Sequence, residues 1–231
     1  MLGVLVGAAA ATATAYAGYA SIAPRSQLYG RSFVGLNRNS RLLALTYDDG
    51  PHSKNTPALL DVLSKHSVQA TFFLVGGCVA RRPGIARDVA EAGHVIGNHT
   101  YHHSRLMYCS PARVRHELDE CAAILADTIG EYSRLWRPPY GGRLPHVMMA
   151  AARMKLTAVM WSVNARDWAT YTASEIEERV SKDIRGGDVV LMHDGGGDRT
   201  HTVEATDRLI RKFKAQGYRF VTVPEMMSAR T

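Results

Sequence analysis

The sequence is short of cysteine. Its 231 residues include only Cys78, Cys109 and Cys121, and no two of them form a CxxC pair. That argues against a thiolate zinc site. Cys109 and Cys121 flank and enter one predicted helix. Helical rise sets them more than about 10 Å apart, too far for a disulfide. Charge is missing altogether from Met1 to Pro24. Without a basic n-region a secretory signal lacks one of its marks, and with few large apolar residues a membrane span is marginal. A signal peptide, a membrane anchor and an ordinary buried helix all remain open for this stretch. No basic cluster is interleaved with aromatics, so nucleic acid is not an expected partner. There is no short internal repeat and no long polar tract of the kind that stays disordered.

What is present suffices for one domain with a full core. The formal net charge is +7, which suits an anionic neighbourhood such as a cell envelope. The expected layout is a signal or anchor over 1–24, a polar linker over 25–41 and a folded domain over 42–231. From Leu42 on, strand-like and helix-like segments alternate. Strands are expected at Leu42–Tyr47, Ala70–Val75, Val95–Gly97, Arg134–Trp136, Thr157–Trp161, Val189–Met192 and Arg219–Val223. Helices are expected between them, at Thr56–His66, Pro83–Ala92, Pro111–Thr128, Leu144–Met154, Ser174–Ile184 and Val203–Gln216. Ser110 and Thr172-Ala173-Ser174-Glu175 read as helix starts, and Gly93, Gly130 and Gly217 as helix stops. Such alternation predicts an α/β fold with about seven parallel strands, one fewer than a complete eight-stranded barrel.

Unusual polar residues collect at the C-terminal ends of these strands, where α/β barrels build active sites. Asp48 and Asp49 end the first strand, just before the turn signal Gly50-Pro51. Neighbours on an extended chain point to opposite faces, so the two carboxylates are expected to do different jobs. His99 and His103 follow the third strand, and a helical turn would put both rings on one face. Two imidazoles and a carboxylate make a three-ligand metal site with open positions. His102 would point away. Arg137-Pro138-Pro139-Tyr140-Gly141 follows the fourth strand; Asn164, Asp167 and Trp168 follow the fifth; His193 and Asp194 follow the sixth.

Five ordered segments carry a resemblance. Thr46-Tyr47-Asp48-Asp49-Gly50, His99-Thr100-Tyr101-His102-His103, Arg137-Pro138-Pro139-Tyr140, Asn164-Ala165-Arg166-Asp167-Trp168 and Leu191-Met192-His193 resemble the motifs of the polysaccharide deacetylases, carbohydrate esterase family 4, also called the NodB-homology domain. The likeness runs over Leu42 to Val223. It implies a distorted, incomplete (β/α) barrel and metal-dependent removal of acetyl groups from N-acetylated sugars. It also implies residue roles: Asp49, His99 and His103 as metal ligands, Asp48 as general base and His193 as general acid. Arg137 would pair with Asp48, and the Tyr140 N–H would stabilise the oxyanion. Leu191 and Trp168 would shape a pocket for the acetyl methyl. The metal expected is divalent, zinc first, with cobalt, nickel or manganese as alternatives. The partner is an acetylated polysaccharide or oligosaccharide, and the place is outside the cytoplasm or in the cell envelope, with membrane anchoring through the N-terminal segment an option.

Two positions depart from the family pattern. Tyr47 stands where Phe is common, and Asn164 where Asp is common. Asn cannot supply charge, so Asp167 is expected to be the acidic partner of His193. Other functions fit parts of the set. An O-acetyl esterase on xylan-like chains would use the same fold, and a non-heme iron oxygenase also uses two His and one carboxylate. A carbohydrate-binding pseudo-enzyme would not need every catalytic position filled, as they are here.

Overall fold

The computed structural model describes residues 12, 14–130, 132–169 and 171–229. Nine strands occur among them: β1 (Ser32–Phe33), β2 (Leu42–Asp48), β3 (Thr71–Leu74), β4 (Val95–Asn98), β5 (Leu135–Trp136), β6 (Thr157–Val159), β7 (Val163–Asn164), β8 (Val189–His193) and β9 (Arg219–Phe220). A helix α1 covers residues 14–22. The rest are α2 (Asn55–Lys65), α3 (Gly76–Arg81), α4 (Pro83–Glu91), α5 (Pro111–Ile129), α6 (Pro145–Arg153), α7 (Ala173–Asp183), α8 (Thr200–Ala215) and α9 (Val223–Ser228).

The strands pair in the order β1-β6-β5-β4-β3-β2-β8-β7, with β9 against the start of β2. All these pairings are parallel. The sheet therefore curls as an incomplete (β/α) barrel. β2 lies at its centre, buried from Leu43 to Asp48. Such a strand is covered on both faces and reads as a continuous apolar run. Leu43, Leu45, Leu59 and Leu63 are among the fully buried side chains of the main core. Cutting one of them to Ala would cost about 2–5 kcal/mol.

The seven expected strands are present, and the differences have local causes. The expected strand Thr157–Trp161 stops at Val159 as β6, and a strand not expected, β7, follows at Val163–Asn164. β6 pairs with β5, and after a bend β7 pairs with β8. Within the expected linker 25–41, Ser32–Phe33 forms β1 against β6. Phe33 O then accepts from Met160 N at 2.8 Å, and Leu36 N donates to Gly187 O at 2.8 Å. This segment therefore runs from the end of β6 to the residues just before β8. Two residues of alternating pattern are too few to signal a strand. The short helices α3 and α9 also escaped prediction, and α9 takes over where a longer last strand was expected.

Helix ends follow the expected chemistry. Ser110 Oγ accepts from Arg113 N, and Thr172 with Glu175 forms a capping box. Gly93, Gly130 and Gly217 have positive φ at the stops of α4, α5 and α8. Much of the expected signal or anchor, residues 1–11 and 13, lies outside the described residues. Among the described residues no helix is long and apolar enough to cross a membrane.

Candidate active site

β2 delivers the two carboxylates. Asp48 is its last residue, and Asp49 adopts a positive φ of 74°. That turn corrects the expectation of opposite faces, which holds only while the chain stays extended. Both carboxylates face one site: His99 Nε2 lies 3.7 Å from Asp48 Oδ2 and 3.4 Å from Asp49 Oδ1.

The histidines converge by a different route from the one expected. Residues 99–105 are not helical. Thr100 and His103 instead take positive φ values of 66° and 57°, a conformation that costs a non-glycine residue energy and needs surrounding support. The support is specific. Thr100 N donates to Asn98 Oδ1 at 2.9 Å, and Gly76 and Gly77, opening α3, donate to the Thr100 and Tyr101 carbonyls at 2.9 Å each. Fully buried Glu117 accepts from His102 N and Ser104 Oγ, both at 2.8 Å, and from Arg113 Nη2 at 2.6 Å. Burial alone would raise the Glu117 pKa, but these donors and nearby positive charge hold it low. His102 turns toward Glu117, away from the site, as expected.

Asp49, His99 and His103 present ligand atoms all within 4.8 Å of one another. Three features fit a divalent cation. Asp49 Oδ1 is buried and has no hydrogen-bond partner, although it faces both imidazoles, with His103 Nε2 at 3.1 Å. His99 Nδ1 bonds the Arg137 carbonyl at 2.7 Å. A carbonyl can only accept, so Nδ1 carries the proton and Nε2 can offer a lone pair inward. Burial opposes ionisation of Asp49, and positive charge on the facing imidazoles, standing where a cation would, holds its carboxyl well below the usual carboxylate range.

Asp48 has other partners. Arg137, fully buried, donates from Nη1 to Asp48 Oδ1 at 2.7 Å and to Thr46 Oγ1 at 2.8 Å. Its Nε and Nη2 bond the Val159 and Met160 carbonyls at 3.1 and 3.2 Å, and its guanidinium lies 4.2 Å from the Phe73 ring centroid. A buried ion pair satisfied on both sides is costly to break, by about 3–5 kcal/mol if one partner is removed.

On the far side His193 Nδ1 lies 2.8 Å from Asp167 Oδ1. Asp167 Oδ2 also accepts from His193 N at 2.8 Å and from Thr202 Oγ1 at 2.9 Å. Burial would lower the His193 pKa, but the Asp167 bond and charge, with Asp48 and Asp49 beyond, push it up to about 9. Asn164 instead accepts from Arg166 N at 2.9 Å and shapes the turn after β7.

One pocket of about 580 Å³ joins these parts. Leu191, Trp168, Tyr140 and Trp161 line it together with the two carboxylates and the histidines. Tyr140 has a φ of 58°, and its ring packs tilted against His103 with centroids 4.8 Å apart. Its N–H has no backbone acceptor among the described residues. Sequence reasoning missed Glu117 and Trp161, and it set Asp194 beside His193 without giving it a role. The signal for Glu117 was there: it shares the buried stripe of α5 with Val114, Leu118 and Cys121. Asp194 lies fully buried behind Asp49. Burial and the charges of Asp49 and Asp48 raise its pKa to about 7 against the lowering bond from Thr56.

An arginine-bound carboxylate, an aspartate-bound imidazole and a cation-ready cradle converge at the C-terminal ends of the parallel strands. Amide or ester hydrolysis needs that combination, and the fold and site define a barrel hydrolase. The chain belongs to the polysaccharide deacetylase family, whose sequence model, "Polysaccharide deacetylase", matches residues 35–159. It is 37% identical over 191 residues to a peptidoglycan-N-acetylglucosamine deacetylase of Bacillus cereus, covering 82% of this chain and 89% of that protein. It is 37% identical over 199 residues to a chitooligosaccharide deacetylase of Bradyrhizobium sp., covering 81% and 91%. The fold matches the crystal structure of the Bc1960 peptidoglycan N-acetylglucosamine deacetylase, with a TM-score of 0.82, 37% identity and 84% and 92% of the two chains covered.

Proposed function

We propose that the protein hydrolyses N-acetyl groups on N-acetylglucosamine units of a cell-envelope or chitin-like glycan. The observation that carries this reading is the split between adjacent carboxylates. Asp48 is bound to a buried arginine, and Asp49 keeps a buried oxygen unpaired opposite two imidazoles. Asp49, His99 and His103 would hold the divalent cation, zinc in our reading. When bound it would polarise the acetyl carbonyl and make water more acidic.

The chain's own groups supply the proton transfers. Asp48 Oδ2, left facing the pocket, takes a proton from the water attacking the carbonyl carbon. Arg137 keeps that carboxylate oriented. The Tyr140 N–H donates to the developing oxyanion. His193, orientated through Nδ1 by Asp167, gives its Nε2 proton to the departing nitrogen as the C–N bond breaks. Acetate and a free amine result. Leu191 and Trp168 enclose the methyl group.

The direct test is mass spectrometry of acetyl loss from chitin, peptidoglycan and xylan fragments with zinc added. Loss from the N-acetylated glycans is the expected result. Loss from acetylated xylan alone would make the enzyme an O-acetyl esterase. We place the protein outside the cytoplasm or in the envelope, where such glycans lie. Cell fractionation that finds it wholly cytosolic with Met1 intact would refute that placement.

A further inference from the structure

Arg143 lies two residues beyond the Tyr140-Gly141 turn and is 2% exposed. Its guanidinium reaches the N-terminal segment. Nη1 donates to Ser26 O at 2.8 Å and Ser32 Oγ at 3.2 Å, and Nη2 donates to Ala23 O. Its backbone N–H bonds Ser21 O at 2.8 Å. Tyr29 OH bonds Ala17 O at 3.1 Å, and Ala20 is buried. A buried guanidinium bonded in this way keeps the end of α1 fixed on the barrel rim, since releasing it would strand the charge.

The fixed segment leaves its aromatic residues outward. Tyr16 and Tyr19 are 59% and 66% exposed. Together with Arg25 and Ser26 they line a groove of about 360 Å³ whose other wall includes Trp161 and Asn164. Those same two residues line the catalytic pocket, so the groove lies beside it. Trp161 is a firm shared wall: a side chain on Gly141 would come within 2.8 Å of its ring. Exposed aromatics in an open groove offer stacking faces to the apolar side of a pyranose ring, while Arg25, Ser26 and Asn164 offer hydrogen bonds to hydroxyls.

We propose that α1, held by Arg143, forms a second sugar subsite in which Tyr16, Tyr19 and Trp161 bind a glycan unit beyond the one being deacetylated. This rests on the deacetylase reading and adds to it a preference for chains over short substrates. The segment read from sequence as signal, anchor or linker would then be a wall of the substrate groove from residue 16 on.

The test uses the full chain with zinc and N-acetylglucosamine oligomers from disaccharide to hexasaccharide. Wild-type kcat/KM should rise with length. Tyr16→Ala combined with Tyr19→Ala should flatten that rise by about tenfold at the hexasaccharide, through KM, with kcat held. The matching Phe pair keeps the rings and should keep the rise. Both tyrosines are surface residues, so an unchanged Tm would show the fold intact. A wild-type enzyme indifferent to length, an Ala pair that keeps the rise, or an equal loss at every length would each overturn the subsite. Wild-type inactivity on every acetylated glycan would overturn the deacetylase reading instead.

Discussion

The site has two halves built on opposite plans. One half, the strand-end residues Asp48 and His193 with their loop partners Arg137 and Asp167, is bonded to itself: Arg137 and Asp167 each meet several protein partners. The loop-borne half, Asp49, His99, His103 and Tyr140, is left wanting. It holds three positive-φ residues, Asp49, His103 and Tyr140, and an unpaired buried oxygen. Buried polar groups are normally satisfied, so the contrast is informative. The satisfied half has its geometry before anything binds, and the unsatisfied half has room for a ligand.

The sharpest way to break this comparison is to neutralise one carboxylate from each half. Asp48→Asn should lower kcat by about 10⁴-fold and leave zinc content unchanged. Asp49→Asn should lose zinc, with activity partly recovered at high zinc. Metal analysis beside turnover decides it, and the opposite pattern would swap the two roles. Next in size is His193→Ala, which should lower kcat about 10²- to 10³-fold with little change in KM. Near-normal turnover would mean that another group protonates the leaving amine.

Glu117 probes whether the loop-borne half borrows its rigidity. Glu117→Gln removes the charge that gathers His102, Ser104 and Arg113. It should weaken zinc binding by about 10- to 100-fold, as loss of an outer partner does. Competition with a chelator measures this, and unchanged affinity would show the loop holding itself. The smallest effect concerns pH. His193 is raised from 6.5 to about 9. Its pairing stabilises the fold fully below pH 6.5 and less as pH climbs through 9. Activity should fall over the same alkaline range as the acid loses its proton. A cation at Asp49 opposes the carboxylate charges that help raise His193, so zinc should move that loss to lower pH. Asp167→Asn should do the same, read as the alkaline limb of kcat.

Much of this was open to reading in the chain. A run such as Leu42-Leu43-Ala44-Leu45 suits a strand covered on both faces, and its alternation with helical segments points to a parallel sheet; the capping residues of α5 and α7 mark their own starts. The side chains proposed to be catalytic were readable because each stands at or just past a strand end, where the fold exposes it. Asp167, chosen over Asn164 on charge alone, is the residue bonded to His193.

Tertiary structure decided the rest, wherever a residue's conformation depends on distant partners. The bond from Thr100 to Asn98 is local, but the partners that hold the rest of the histidine loop at its positive-φ turns are not. Packing from α3, Asn98 and Glu117 supports the histidine loop, and so the histidines meet without a helix. The bend between β6 and β7 exists because two different strands claim its two ends. Residues 25–41 look like a linker until Arg143, more than a hundred residues later, bonds Ser26 and Ser32. Composition and periodicity report on neighbours in sequence; a buried charge reports on whichever carbonyls the fold brings within reach.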